Sequence, residues 1–346
     1  MLAGLLQQIA PPMHSNSIER PCASDHPGIA PTDLWAVVLR RTRDALASGA
    51  LQPIETTTRA VDQSGIRFIV RVASNLRRKD AARRREIDAA KRTGSRINPF
   101  LPYEAAMFVA DLSPTHVCLL NKFNVLEHHL LIVTRAYADQ ETLIDKDDFV
   151  ALCRCMAQID GLGLYNAGSD AGASQPHKHL QLIPLPLSEA GPPVPIAPAL
   201  DILPAQAPEV TTVPAFPFRH SFSRLEPTLF ESPDAAATEV WETYRRLLAV
   251  MGIGESGDGD GRQTQAYNLL LTRSWMLLVP RSRAAFAGVS ISALNFAGSM
   301  FVRSEDELRV IAEAGPLAVL AGVSCPRGET PPAVRGAETT GTDRPA

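Results

Sequence analysis

The stretch YNAGSDAGASQPHKHLQ, residues 165–181, decides the reading of this chain. Its last five residues suit an extended strand. Side chains on a strand alternate between faces, so His177, His179 and Gln181 line one face, and Lys178 and Leu180 the other. Neutral imidazole is a good nucleophile near pH 7 and forms a phosphoramidate with phosphorus. It needs its other ring nitrogen held by an acceptor, so that one nitrogen presents its lone pair. His179, in the middle of the row, is best flanked for that role. His177 can donate to a phosphate or fix orientation, and Gln181 can hydrogen-bond a phosphoryl or bridging oxygen. Two histidines on a strand can also be a metal pair. No third ligand lies nearby, however, and glutamine is a poor transition-metal ligand. Before the strand, Gly168, Gly172 and Ser174 are small enough for successive backbone N–H groups to converge as a nest for phosphate oxygens.

Outward from that stretch, the pattern is mixed. A helix is expected from Pro31 to Gly49, capped at Thr32-Asp33. A strand is expected over Ile66–Val72. Further strands are expected over Ala106–Leu112, His116–Phe123, His129–Thr134, Gly161–Asn166 and His177–Leu185, with a helix from Lys146 to Gln158. Ser113-Pro114-Thr115 reads as a hairpin turn. Residues 186–217 read as a proline-rich loop and Pro233–Met251 as a helix. Gly252–Gly261 reads as an acidic loop. Ala266–Leu271 and Trp275–Pro280 pair as a hairpin around Thr272-Arg273-Ser274, and a helix follows at about 304–314. Strands do not alternate regularly with helices, so the expectation is an α+β fold, a mostly antiparallel sheet flanked by helices. No GxGxxG and no GxxxxGK[ST] is present, so any nucleotide is bound outside those schemes.

Residues 33–325 carry this pattern, an N-terminal part over 33–190 and a C-terminal part over 210–325. Residues 1–32, with five prolines, read as an extension of disorder-like composition, and 326–346 as a disordered tail. The basic run over 77–97 reads first as a solvated face, with part of it free to meet a phosphate-rich ligand.

The bulk numbers exclude some classes. The chain has 346 residues, 45% of them hydrophobic, enough for a sizeable core. A net charge of −3, and a basic run without interleaved aromatics, argue against nucleic acid as partner. Five cysteines without regular spacing argue against a disulfide framework and for a reducing compartment. No apolar run reaches membrane-spanning length and no leader pattern opens the chain, so a cytoplasmic protein is expected. Nothing in the sequence sets an oligomeric state.

His177-Lys178-His179-Leu180-Gln181 resembles the signature of the histidine triad superfamily, in the branch where glutamine replaces the third histidine. That branch includes galactose-1-phosphate uridylyltransferase. The longer strings Asn166-Ala167-Gly168 and Gly172-Ala173-Ser174-Gln175-Pro176-His177 resemble the ATP adenylyltransferase, or diadenosine tetraphosphate (Ap4A) phosphorylase, family. So do three further blocks, NPFLPYE (98–104), LLNKFNV (119–125) with HHLLIVT (128–134), and YNLLLTRSWM (267–276) with VPRSR (279–283). The resemblance runs from about residue 45 to 325.

It implies a histidine-triad-like fold and reversible phosphorolysis of Ap4A to ATP and ADP, with AMP carried on His179. By position it implies substrate contacts from Lys79, Asn121, Lys122, Asn166, Gly172, Ala173, Ser174, Gln175, Gln181, Thr272, Arg273, Ser274 and Arg283. Arg283 stands where lysine is common and Ser274 where an acidic residue is common. The substrate is expected as a magnesium complex, with no metal cage and no organic cofactor in the protein. His116, His128, His129 and His220 fall outside the row and read as strand-edge and loop residues. A transferase with sulfate or a sugar phosphate as acceptor, and a nucleotide sensor without turnover, are the competing readings.

Overall fold

The computed structural model describes residues 33–73, 98–204, 208–257 and 259–328. Its centre is an eight-stranded sheet of order β3-β4-β5-β7-β6-β9-β10-β8, antiparallel at every step. The strands are β3 (Phe108–Ser113), β4 (His116–Leu120), β5 (Leu130–Thr134), β6 (Gly161–Ala167), β7 (His179–Pro184), β8 (Ser221–Arg224), β9 (Tyr267–Leu271) and β10 (Trp275–Pro280). Strands from both parts of the chain share it, because β6 pairs with β9 over five residues. The resulting α+β architecture is the expected one.

Helices α1 (Leu34–Ala47), α2 (Lys146–Gln158) and α4 (Pro233–Met251) lie on one face, with α3 (Ala197–Asp201) in the connection after β7. α1 starts where Asp33 accepts from the Ala36 N–H, and buries Leu34, Val38, Thr42 and Ala45 at helical spacing. α2 has the bounds its sequence implied, because Asp145 and Asp148 close a capping box at its start. α4 opens on proline and stops at Gly252 in the left-handed conformation. These helices enclose a core with Cys118, Ile132, Tyr165, Leu180, Leu182 and Leu269 of the sheet.

The opposite face has two coverings. Over β6, β9 and β10 lies a second core with β2 (Ile66–Ala73), the 187–218 connection and the C-terminal helices α5 (Ala293–Phe296), α6 (Glu305–Ala314) and α7 (Pro316–Ala321). Over β4 and β5 lies a smaller cluster of Phe100, Val117, Leu119 and Val133. The odd-numbered residues at the start of β7 lie between these coverings.

The sequence did not signal β1 (Thr56–Gln63), β8 or β13 (Ser299–Val302). β1 is an edge strand of polar residues, mostly exposed, without the alternation that marks a half-buried strand. β8 and β13 span four residues each, too few for a periodic signal. β13 pairs parallel with β2, which ties the C-terminal part back across the fold. A two-residue hairpin, β11 (Ala285–Phe286) with β12 (Val289–Ser290), completes the set. No helix among the described residues is long and apolar enough to cross a membrane. The extension over 1–32, residues 329–346 of the expected tail, and the basic run with Lys79 lie outside the described residues, whereas at the start of that tail Pro326 bridges Phe218 and Arg327 donates to the Pro214 and Phe216 carbonyls.

Candidate active site

The strand carrying the row begins at His179, two residues later than its alternation suggested. His177 meets Asp139 in an isolated bridge, and the Lys178 N–H bonds the Ala138 carbonyl at 2.8 Å. The row survives this shift. His179 pairs with Val133 and Gln181 with Leu131 and Leu164, all on the face away from the helices. The Phe100 ring lies 5.6 Å from the His177 ring and 5.3 Å from the His179 ring. Lys178 points to the helix face. Its Nζ reaches Asp148 Oδ2 at 2.5 Å and the Leu143 carbonyl at 2.8 Å, while Asp148 Oδ1 meets His116 Nε2 at 2.9 Å.

His179 is 5% exposed. Its Nδ1 lies 2.8 Å from the His177 carbonyl, an acceptor, so Nδ1 carries the proton and donates. Nε2 is therefore unprotonated and has no partner among the described residues. Burial pushes the His179 pKa down to about 4, against a smaller rise from the His177 carbonyl, so the ring is neutral at pH 7. A neutral imidazole with a fixed tautomer and a free Nε2 is what nucleophilic attack requires.

His177 is held differently. Nε2 lies 2.9 Å from the Thr134 carbonyl, so it donates, and Nδ1 accepts from the Asn98 amide at 3.0 Å. Both ring nitrogens are taken by protein, and burial lowers the pKa. What His177 offers the row is its backbone carbonyl. Of the two parts the sequence left open to it, this arrangement favours orientation over donation to a phosphate.

Gln181 Oε1 accepts from His129 Nε2 at 2.9 Å, and His129 Nδ1 meets the Asn121 amide nitrogen at 3.2 Å. Burial pushes the His129 pKa down to about 4, so that ring is neutral too. The contact turns the Gln181 amide so that its N–H donors face away from His129. His129, read from sequence as a bland strand-edge residue, thus sits behind a member of the row. Asn121 reaches the row through it. Lys122 lies farther out, bonded to Glu104 at 2.5 Å.

Asn166 is also on this face. Its Oδ1 accepts from Asn268 Nδ2 at 2.9 Å and from the Ala293 N–H at 2.8 Å, leaving its amide nitrogen without a partner among the described residues. The loop that follows turns at Gly168 (φ 89°) and Gly172 (φ 88°). A Cβ on Gly172 would stand 2.5 Å from the Ile291 carbonyl, so the loop and the start of α5 are in close contact. The Ala173 N–H bonds back to Gly168, while those of Ser174 and Gln175 have no protein partner among the described residues. Behind the loop, Arg281 is 2% exposed and donates to the carbonyls of Ala171, Arg283, Ile291 and Val323 and to Asn268 Oδ1. Burial lowers its pKa to about 10, so it stays a cation beside the loop. The Arg283 side chain is exposed, its backbone tied to this group through Arg281.

Thr272, Arg273 and Ser274 are not brought here. β9 runs antiparallel to β6, so its last residues lie at the start of β6, whereas Asn166 is near the end. Four residues separate Thr272 from Asn268, about 13 Å along the strand. Arg273 Nε bonds the Met156 carbonyl at the end of α2, at 2.7 Å, and Thr272 Oγ1 accepts from the Ser274 and Trp275 N–H groups. In place of that turn, the C-terminal part brings Asn268, Arg281 and the Ile291–Ala293 segment to the site. Asn268 and Arg281 lie inside the resembling blocks but had no local signal of their own. Among the described residues no three His, Cys, Asp or Glu side chains gather as a metal site.

Known proteins add a consistent picture. Residues 24–202 match the family model of the Ap4A phosphorylase N-terminal domain, and residues 214–326 that of the ATP adenylyltransferase C-terminal domain. The chain belongs to the Ap4A phosphorylase and ATP adenylyltransferase family. It is thereby a nucleotidyltransferase. Diadenosine 5',5'''-P1,P4-tetraphosphate phosphorylase 2 of Saccharomyces cerevisiae is 27% identical over 251 residues, 65% of this chain and 75% of that one. Protein APA1 of the same yeast is 24% identical over 207 residues, 56% of this chain and 64% of that one. The crystal structure of yeast Ap4A phosphorylase Apa2 in complex with Ap4A superposes with a TM-score of 0.67 at 20% identity. It covers 86% of this chain and 98% of that one. The fold of this family member is therefore that of Apa2.

Proposed function

We propose that this protein catalyses the reversible phosphorolysis of Ap4A, in which Ap4A and phosphate give ATP and ADP. The observation that carries this reading is the His179 tautomer: Nδ1–H is held by the His177 carbonyl and Nε2 is free beside Gln181. The Nε2 lone pair attacks an α-phosphorus and ATP leaves. The new N–P bond puts positive charge on the imidazole, which strengthens its Nδ1–H bond to the carbonyl. Phosphate then attacks the same phosphorus, the N–P bond breaks and ADP leaves. Gln181 donates to a phosphoryl oxygen through its free amide N–H groups, where charge develops in the transition state. The Ser174 and Gln175 N–H groups cradle a phosphate, and the buried Arg281 cation supports it from behind.

Asn166 orients ribose or phosphate oxygens through its amide nitrogen. Lys79, Lys122 and Arg283 neutralise the polyphosphate. The substrate enters as its magnesium complex, since four phosphates carry too much charge to bind bare. Small nucleotides are the partners, and the cytoplasm is the compartment.

The test is a product assay. Ap4A, magnesium and phosphate should give ATP and ADP in equal amounts, with much less product when sulfate or a hexose 1-phosphate replaces phosphate. Turnover confined to a sugar phosphate would point to another nucleotidyl transfer, and binding without turnover to a sensor.

A further inference from the structure

The ladder between β6 and β7 stops short of the site. The two strands pair from Gly161↔Pro184 to Leu164↔Gln181 and no farther, although β6 continues against β9 to Ala167 and β7 continues against β5 to His179. Continued in register, the next outward-facing pair would be Asn166 opposite His179. Instead the strands splay there, and the side chain of Gln140 fills the gap. Its Oε1 accepts from the His179 N–H at 2.8 Å. Its Nε2 donates to the Asn166 carbonyl at 2.9 Å and to the His179 carbonyl at 3.2 Å.

The backbone of Gln140 is fixed to the same two segments. Its N–H bonds the Pro176 carbonyl at 2.8 Å, and its carbonyl accepts from the Tyr165 hydroxyl at 2.8 Å. Flanking it, Asp139 and Glu141 are both clamped by Arg262, at 2.6 and 2.9 Å. Gln140 is 2% exposed, so its primary amide acts as an inserted peptide group in a dry setting, where unpaired donors and acceptors are costly.

We infer that Gln140 is a positioning residue: it holds His179 and Asn166 apart at the spacing a phosphate needs between them, and fixes the main chain on which the nucleophile swings. This rests on the phosphorolysis reading. The splay leaves room that a closed ladder would remove, and the amide satisfies the backbone groups that the splay exposes. A shift of the nucleophile by about 1 Å costs on the order of 100-fold in rate, so the effect belongs on the chemical step.

Two variants separate positioning from plain support. Gln140→Glu keeps the shape and the acceptor toward His179 N–H. When ionised it turns an oxygen toward two carbonyl oxygens; when protonated it restores a donor. Gln140→Leu removes all three side-chain bonds at every pH. The readouts are the single-turnover rate of AMP transfer to His179 from Ap4A without phosphate, followed by denaturing mass spectrometry, and the affinity for AMP.

At pH 8 the transfer step in Gln140→Glu should slow by about 100-fold relative to wild type, while AMP affinity stays within about threefold. The deficit should shrink as the pH is lowered to 6, measured against wild type at the same pH, and Gln140→Leu should show no such recovery. Transfer within about twofold of wild type in both variants, equal loss of rate and AMP affinity without pH dependence, or loss of the fold in both would overturn the assignment. An unmodified wild type would sink the phosphorolysis reading itself, and the positioning role with it; adducts formed equally fast in wild type and variants would overturn Gln140 alone.

Discussion

At His179 the chemistry depends on the location of one proton. The His177 carbonyl takes it on the Nδ1 side, and burial keeps a second proton off Nε2 until the pH falls toward 4. Gln181 is the complementary group, a neutral donor whose direction is set by His129. A developing phosphoryl charge in a water-poor site makes such a donor worth several kcal/mol in the transition state and little in the ground state. Gln181→Ala should therefore lower kcat by about 100-fold with KM changed much less. Steady-state kinetics with Ap4A would check it, and a change confined to KM would contradict it. The row itself was legible in the sequence because strand alternation is local. Gln140 and His129 were not, because they meet the row from 39 and 52 residues away. Only the fold brings them there.

Among the elements, β7 is pinned on both faces. On the helix side Lys178, 3% exposed, enters the acidic start of α2, where Asp148 serves the capping box, His116 and the Lys178 ammonium together. Burial by itself would raise the Asp148 carboxyl, but the hydrogen bond from His116, and after it the charge of the Lys178 ammonium, hold it below its usual range. Removing one partner of a buried ion pair leaves the other uncompensated, which costs about 3–5 kcal/mol. Asp148→Ala should lose stability of that order in urea unfolding, and a loss below about 1 kcal/mol would show that the pair is not holding the strand. α2, α4 and β10 have the bounds their sequences implied, since caps and apolar periodicity write those limits locally. The Thr272–Ser274 turn was placed by likeness of sequence. Strand direction sends it to the far end of the sheet.

Over the whole molecule, one sheet divides the core, and its reactive row lies largely buried on the outer face between two separate apolar coverings. Three histidines, the buried His179 and His220 and the partly buried His129, have their pKa values lowered to about 4, chiefly by desolvation. The unfolded chain protonates them near 6.5, so between about 6.5 and 4 it binds more protons than the folded one. Stability is full above that window and falls as the pH drops through it, by up to about 1.4 kcal/mol per pH unit for each group. Asp148, also lowered, adds a loss of the same sign at still lower pH. Urea midpoints should fall steadily from pH 7 to pH 4.5, and a flat profile would mean that these rings are not buried neutral. The division into layers was legible as an α+β pattern. The parallel return of β13 onto β2 was not, since it joins residues about 230 apart in the chain.

The claim that AMP is carried on His179 is tested most directly by denaturing mass spectrometry of the protein mixed with Ap4A and magnesium, with phosphate omitted. One added AMP is expected on the peptide containing His179. The adduct should be absent in His179→Ala, and phosphate should release it from the wild type as ADP. Turnover to ATP and ADP with no adduct, or an adduct that persists in His179→Ala, would contradict it.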